Sequence, residues 1–287
     1  WRQIGVTAPQ SAQPKWDGSP LAGRTILLYS EQGLGDSIQF VRYVSMLREQ
    51  RGAGRVVVVC EPPLMPLLKT IAGVDEVAPR LGSHPRFDVH CALASLPYHF
   101  GTTLATIPHD VPYVAHNAQR AAQWREELKL TRDVRNVGLV WAGSSVHKND
   151  RNRSCRLSDF APLGGVGNGA ENVRFVSLQL GPARDELASA PPGMTITDAA
   201  GGIRDFSDSA ALLAELDLLI TVDTAPAHLA GALGRSVWTI LPFVPDFRWM
   251  LDRTDSPWYP TMRLFRQSKA GDWAGVMGEV SAALSLC

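Results

Sequence analysis

The sequence has no excess charge of either sign, because 28 lysines and arginines balance 28 aspartates and glutamates over 287 residues. A protein that coats nucleic acid or an anionic membrane carries such an excess, so neither is expected as a partner. Long apolar runs are also missing: none approaches the roughly 20 residues that span a bilayer. The N-terminus lacks the residue order of a signal peptide. We therefore expect a cytoplasmic protein without a transmembrane segment.

Cysteine is scarce, and the cysteines present lack the CxxC spacing of a metal site: they are Cys60, Cys91, Cys155 and Cys287. So few cysteines cannot form a disulfide framework in a chain of this length. We expect free thiols in a reducing compartment, and no zinc or other metal site. The chain begins at Trp1 instead of methionine, which suggests a piece of a longer protein.

The apolar pattern predicts an α/β fold in two domains. The length fits two units of roughly 150 residues, and β-rich runs alternate with helical patterns in both halves, which predicts parallel sheets. The predicted segments are a lead-in or linker (1–23), a first domain (24–115), a connection (116–135), a second domain (136–265) and a C-terminal helix (266–287). We expect this helix to pack back on the first domain.

A first candidate site follows the predicted strand Thr25 to Tyr29, where Glu31-Gln32-Gly33-Leu34-Gly35-Asp36-Ser37 leads into a helical pattern. Glycines there let a ligand approach the backbone at a helix N-terminus. Asp36 lies where parallel sheets bind ligands, but it fits a helix cap equally well. The GxGxxG fingerprint is missing, which disfavours a nicotinamide enzyme. The candidates are Asp36 for catalysis and Gln32, Gly33 and Gly35 for binding.

A second candidate site is the polar, cationic loop at residues 141–154, which follows the predicted strand Val137 to Trp141. Guanidinium and ammonium groups beside small residues can hold phosphate oxygens by charge-assisted hydrogen bonds. By composition alone a solvated surface loop is the simpler interpretation. The position at the end of a domain's first strand favours a binding site. The candidate residues are Trp141, Gly143, His147, Asn149 and Arg153.

The third candidate site follows the predicted strand Leu218 to Val222, where Asp223-Thr224-Ala225-Pro226-Ala227-His228 opens a helix that Gly234 ends. Thr224 can cap that helix, and proline in the first turn is ordinary. A helix N-terminus at the end of a strand also suits a diphosphate. His228 by itself is more often a packed or surface histidine. The candidate binding residues are Asp223, Thr224, Ala225 and His228.

Two of these motifs resemble glycosyltransferase family 9, the ADP-heptose lipopolysaccharide heptosyltransferases. They are Gly35-Asp36, and Asp223-Thr224 with His228-Leu229-Ala230 and Leu233-Gly234. The first and second motifs, with Ser95-Leu96-Pro97, Asp246-Phe247-Arg248-Trp249 and Ser256-Pro257-Trp258-Tyr259-Pro260, resemble the catalytic region of bacterial tetratricopeptide-repeat glycosyltransferases more closely. The resemblance covers residues 20–285. It implies that helical repeats precede this region in the full protein.

The resemblance implies the GT-B architecture, in which two Rossmann-like domains face a cleft, the first binding the acceptor and the second the nucleotide sugar. It also implies independence of a bound metal or other cofactor. By position, Asp36 matches the family's proposed base or acceptor-orienting aspartate, and Arg153 falls near its phosphate-binding lysine. The family's Gly-Pro turn is replaced here by Leu241-Pro242-Phe243-Val244-Pro245. This departure leaves an ADP- or UDP-linked donor, and a glycan, lipid or protein acceptor, as open alternatives.

Three functions are consistent with these residues. The first is transfer of a hexose or heptose from a nucleotide-diphosphate sugar to an acceptor hydroxyl, with Asp36 as base and the second-domain helix stabilising the leaving group. The second is a nucleotide-sugar epimerase or hydrolase on the same architecture. The third is a non-catalytic module that binds nucleotide sugars, which Asp36, Arg153 and His228 disfavour.

Overall fold

The computed structural model describes residues 12–81, 83–166 and 173–286. Residues 1–11 of the predicted lead-in, and Cys287 among the expected free thiols, lie outside the described residues. The strands in the described part are β1 (Thr25–Tyr29), β2 (Arg55–Cys60), β3 (Glu76–Pro79), β4 (Val89–Ala92), β5 (Arg135–Val140), β6 (Val173–Ser177), β7 (Ile196–Asp198), β8 (Leu218–Val222), β9 (Val237–Leu241) and β10 (Met262–Arg266).

The α-helices of the described residues are mostly short. They are α1 (Leu34–Phe40), α2 (Val44–Arg51), α3 (Met65–Leu68), α4 (Leu96–His99), α5 (Ala118–Glu127), α6 (Asp150–Arg153), α7 (Phe206–Glu215), α8 (Ala225–Ala232) and α9 (Trp273–Leu284). Segments of 3₁₀-helix lie at Val41–Tyr43, Pro62–Leu64, Leu93–Ser95, Leu104–Thr106, Leu157–Gly165, Pro182–Ser189, Ala200–Gly202 and Phe247–Trp249. None of these helices is long and apolar enough to cross a membrane.

The strands form two separate parallel sheets, as the alternating pattern predicted. The first has the order β3-β2-β1-β4 and the second the order β10-β9-β8-β5-β6-β7. In β1, Ile26 and Leu28 belong to one core cluster and Leu27 and Tyr29 to another. Because both faces of such a strand are covered, its residues are apolar without alternation. The α/β fold class predicted from the sequence is confirmed.

The described part of the lead-in packs against the first sheet. Trp16 and Leu21 are buried, and a parallel bridge joins Lys15 to His90 in the edge strand β4. Pairing of this kind covers part of an otherwise open sheet edge. Residues 12–23 therefore wrap on the surface of the first domain.

The C-terminal helix α9 corrects one prediction, because it packs on the second domain and not on the first. Val276, Met277 and Val280 belong to the same core cluster as Phe160 and Val137. Strand β10 was not predicted from the sequence, and its hydrogen bonds to β9 place the chain at the edge of the second sheet just before α9 begins. A short connection from that edge lets the apolar face of the helix reach the nearest core, which is that of the second domain.

Candidate functional site: a cleft between two helix N-termini

The carboxyl ends of both sheets open onto one cleft of about 2000 Å³ between the domains. Helix α1 begins there after β1, and helix α8 begins there after β8. Ligands of parallel α/β sheets bind at this edge. Most of the predicted site residues line the cleft: Gln32, Gly33, Gly35, Asp36, Gly143, His147, Asn149, Arg153, Asp223, Thr224, Ala225 and His228.

Trp141, one of the predicted site residues, does not line the cleft. Its side chain is fully buried in the core of the second domain, beside Val137 and Leu139. Successive side chains of a strand point to opposite faces, so residues 137, 139 and 141 share the inner face. Val140 points the other way and reaches the cleft. The interpretation of Trp141 as a donor-binding residue is therefore wrong.

Gly35 has a different role from the one expected of a glycine loop. It lies inside α1, and a Cβ atom added to it would lie 2.7 Å from His228 Cδ2 and 3.4 Å from Ala225 Cα. Carbon atoms in favourable contact are about 3.5–4.0 Å apart, so a larger residue would force the two helices apart. Gly35 thus permits the close approach of α1 to α8 across the domain boundary.

Asp36 both caps its own helix and faces the second domain. Its Oδ2 accepts a hydrogen bond of 2.9 Å from the Gly33 N–H, and its Oδ1 accepts one of 2.5 Å from Nη2 of Arg248. Asp36 thus contributes to capping, but from the first turn of a helix that begins at Leu34 and not from the N-cap of one that begins near Ser37, as the sequence suggested. The ion pair with Arg248 is an additional contact that a cap does not require.

Arg248 and Glu31 are cleft residues that were not among the candidates. Glu31 accepts a hydrogen bond of 3.0 Å from the Ala94 N–H, and burial raises the pKa of Glu31 although that bond opposes the effect. Glu31 follows β1 directly, so the positional argument used for Asp36 could have found it. For Arg248 the signal was its place between Phe247 and Trp249, because guanidinium groups stack on aromatic rings.

Arg153 lies beside the end of β8, as the phosphate-site interpretation requires. Its Nη1 donates a hydrogen bond of 2.9 Å to the backbone carbonyl of Asp223, and its Nε lies 3.5 Å from Oδ1 of Asp150. A Cβ atom at Gly143 would lie 2.6 Å from Nη2 of Arg153, so this glycine leaves room for the guanidinium. His147 and Asn149, in the same loop, are exposed at the rim.

Thr224 occupies the N-cap position of α8, but its side chain does not cap the helix. Its hydroxyl donates to the Val222 carbonyl at 3.2 Å and lies 3.0 Å from the Thr221 hydroxyl. The expected capping bond is therefore absent, because Thr224 turns back toward the strand. The Thr224 side chain thus leaves the start of α8 without a cap, although Pro226 has no N–H and the Ala227 N–H donates to the Thr224 carbonyl at 3.0 Å. The helix N-terminus carries the positive end of the helix dipole.

His228 is buried on the cleft wall. Its Nδ1 lies 2.9 Å from the Tyr259 hydroxyl, and its ring stacks on Trp249 with 5.3 Å between centroids. Burial, together with the charge of Arg248, holds the pKa of His228 well below its usual range, so the ring is neutral. Asp223 behaves in the opposite sense: burial raises the pKa of its carboxyl, although Arg248 opposes that shift.

The chemistry available in the cleft is that of an anion site. Arg153 lies at the end of β8, where α8 begins, and donates to the Asp223 carbonyl, whereas Arg248 is paired with the carboxylates of Asp36 and Asp246. Phosphate oxygens satisfy guanidinium groups of this kind. In the described ranges no group of three or more His, Cys, Asp or Glu residues is arranged to hold a metal ion.

Two α/β domains with parallel sheets facing one cleft define the GT-B class of glycosyltransferase fold. Residues 178–242, which include β8, the whole of α8 and β9, match the model of glycosyltransferase family 9 (heptosyltransferase). The match over this segment confirms the resemblance to that family predicted from the sequence.

Individual proteins are similar to the chain over most of its length. The chain is 29% identical over 290 residues to protein FlbA of Caulobacter vibrioides. The alignment covers 94% of this chain but only 48% of the length of FlbA. A family 9 glycosyl transferase from Veillonella parvula superposes with a TM-score of 0.67 at 14% identity, over 93% of this chain and 98% of that one. For ADP-heptose LPS heptosyltransferase II of E. coli the TM-score is 0.65 at 16% identity, over 91% and 98%. These structural likenesses establish the fold.

Proposed function

We propose that this chain transfers a hexose or heptose from an ADP- or UDP-linked sugar to an acceptor hydroxyl. One observation carries the proposal: the N-terminus of α8 has no side-chain cap from Thr224 and lies beside Arg153, and Asp36 lines the same cleft. This arrangement puts an anion site and a carboxylate in one cavity. The name of the E. coli relative, an ADP-heptose transferase, supports an ADP-linked donor.

The second domain would stabilise the leaving group. During transfer the bond between the anomeric carbon and the diphosphate oxygen breaks, so negative charge grows on the nucleoside diphosphate. The positive end of α8 and the guanidinium of Arg153 are already oriented toward that charge, which favours the transition state over the bound substrate. Neutral His228 adds no charge there, and its place is to hold the helix against α1.

The first domain would activate the acceptor. As the new bond forms between the acceptor oxygen and the anomeric carbon, the hydroxyl proton must go to a base, and Asp36, which lines the cleft at the start of α1, is the candidate. Glu31 is a second carboxylate on the same wall. Asp36→Asn and Glu31→Gln therefore form a matched pair of variants.

We expect Asp36→Asn to lower turnover by about 100-fold or more while nucleotide-diphosphate affinity stays nearly unchanged, because general-base assistance has that magnitude. Glu31→Gln should retain most of the activity. The measurement is release of nucleotide diphosphate from ADP- and UDP-sugars with and without candidate acceptors. If Asp36→Asn transfers at the parent rate while Glu31→Gln does not, the base is Glu31. Release without any acceptor would indicate a hydrolase or epimerase, and binding without turnover a non-catalytic module.

The location and context of the full protein remain proposals. Cys60, Cys91 and Cys155 are buried free thiols, which supports the cytoplasm as the compartment because thiols stay reduced there. The resemblance to tetratricopeptide-repeat glycosyltransferases supports helical repeats next to this region. Cell fractionation of the full-length protein tests the first proposal.

A further inference from the structure

Arg248 is the residue through which the second domain contacts the candidate base. Its guanidinium donates to Oδ1 of Asp36 at 2.5 Å, and its Nε lies 3.3 Å from Oδ1 of Asp246 without a well-directed hydrogen bond. The side chain of Arg248 is 11% exposed and that of Asp36 is 17% exposed. This ion pair is thus largely shielded from water. Two opposite charges attract each other more strongly in such a place than at the surface.

The charges around Arg248 keep it ionised. Burial alone would lower the pKa of Arg248, but the carboxylates of Asp36, Asp246 and Asp223 raise it, and Tyr259 adds to this effect. Asp246 also caps the 3₁₀-helix Phe247–Trp249 by accepting the Arg248 N–H at 3.1 Å. The backbone that carries Arg248 is therefore held in place independently of Asp36.

Other contacts besides this ion pair join the two domains. Arg42 in the first domain donates from Nη1 to the carbonyls of Pro108 and Trp258 at 2.8 and 2.7 Å, and from Nη2 to the Tyr113 hydroxyl at 2.9 Å. Gly35 packs on α8 as described above. Since these contacts also join the domains, the Arg248–Asp36 pair is not the sole link between them, and it fixes the carboxylate itself.

We propose that Arg248 is a positioning residue that holds the Asp36 carboxylate toward the donor site and makes its orientation depend on the approach of the two domains. With Oδ2 held by the Gly33 N–H and Oδ1 by Arg248, both oxygens have fixed partners. Separation of the domains removes the second partner. The carboxylate is then correctly oriented only when the donor domain is in place. This inference rests on the proposed transferase function.

Arg248→Gln and Arg248→Lys test the proposal, with Arg253→Gln as the matched control. Arg253 lies in the same region of the chain and pairs with Asp255, which is 68% exposed, so its loss should change nothing. For Arg248→Gln we expect turnover to fall on the order of 100-fold, since misplacement of a catalytic group by about 1 Å has that effect. The Kd for ADP or UDP should change by less than about threefold. Arg248→Lys should recover part of the lost turnover.

A second measurement is independent of activity. Amide hydrogen exchange across residues 33–40 in the nucleotide-free protein should become faster in Arg248→Gln, because the cross-domain partner of Asp36 is gone. Unchanged exchange would overturn the inference, as would parent-like turnover. Loss of ADP or UDP affinity with turnover kept at saturating donor would make Arg248 a donor ligand instead. If the parent protein neither binds nucleotide diphosphates nor transfers sugar, the proposed function fails, and the exchange experiment still decides whether Arg248 orders Asp36.

Discussion

Substitution of Gly35 by alanine tests the close approach of α1 and α8 without any assumption about function. The added Cβ would lie 2.7 Å from His228 Cδ2. The His228 ring cannot yield easily, because it is 2% exposed, bonded to Tyr259 and stacked on Trp249. To reach ordinary carbon contact the helices must separate by about 1 Å.

The expected change follows from two opposing contributions. Overpacking of a buried contact typically costs about 1–3 kcal/mol, and replacing glycine by alanine in a helix returns up to about 1 kcal/mol. The net expectation for Gly35→Ala is a loss of about 1–2 kcal/mol in the free energy of unfolding. Nucleotide-diphosphate affinity should fall too, since the two walls of the cleft move apart.

Gly278→Ala is the matched control, because Gly278 also lies within a helix, α9, but an added Cβ there meets nothing within 4 Å. This variant should gain about 0.5–1 kcal/mol from helix propensity alone. Urea unfolding followed by circular dichroism measures both variants. A Gly35→Ala protein as stable as Gly278→Ala would refute the argument, because it would show that the interface has room for a methyl group.

Three further predictions concern the donor site and the ion pairs of Asp208 in α7. Thr224→Ala should cost about 1 kcal/mol in unfolding free energy through its buried hydroxyl bonds, yet leave ADP and UDP affinity within about threefold; a larger loss in calorimetric titration would show that the hydroxyl turns to the ligand. Arg153→Ala should weaken binding of ADP far more than binding of adenosine, because the guanidinium acts on phosphate oxygens, whereas the exposed Arg151→Ala should affect neither; equal losses for ADP and adenosine would contradict this assignment. Burial alone would raise the pKa of Asp208, but hydrogen bonds from Arg204 and Arg120 lower it to about 2. Because the pKa of Asp208 is lower in the folded than in the unfolded protein, the ionised carboxylate stabilises the fold above about pH 4, and this stabilisation is lost as the pH falls toward about 2. It amounts to about 1–2 kcal/mol, since the exposed Arg204 is screened by solvent. Urea unfolding between those pH values should show that the free energy of unfolding changes less with pH in Asp208→Asn than in the parent protein. An equal change in both proteins would exclude Asp208 as the source of the pH dependence.

The sequence by itself determined most of the sheet strands and the edge at which the site forms. Strands such as β1, β2 and β8 are buried on both faces, so their apolar runs are continuous and can be recognised locally. Parallel strands end at a common edge, and Asp36, Arg153 and Asp223 each follow such a strand or lie in the loop after it. That Arg153 and Asp223 lie at the same edge of the second sheet was therefore predictable from the order of elements, whereas Asp36 follows a strand of the first sheet.

Only the tertiary structure decided which way the side chains turn and what they touch. Trp141 points into the core because of the register of β5, and the Thr224 hydroxyl turns toward Thr221. The partner of Asp36 is Arg248, 212 positions along the chain. No local pattern encodes such a contact, because it depends on how two separately folded sheets approach one another.

The C-terminal helix shows the same division between local and global information. Its amphipathic pattern was enough to predict α9, since the periodicity of apolar residues belongs to the helix itself. The surface that it covers depends on β10, whose place at the edge of the second sheet is set by its hydrogen bonds to β9. Local periodicity thus determined which segments are strands and helices, and long-range packing decided which domain α9 covers and which arginine faces the candidate base.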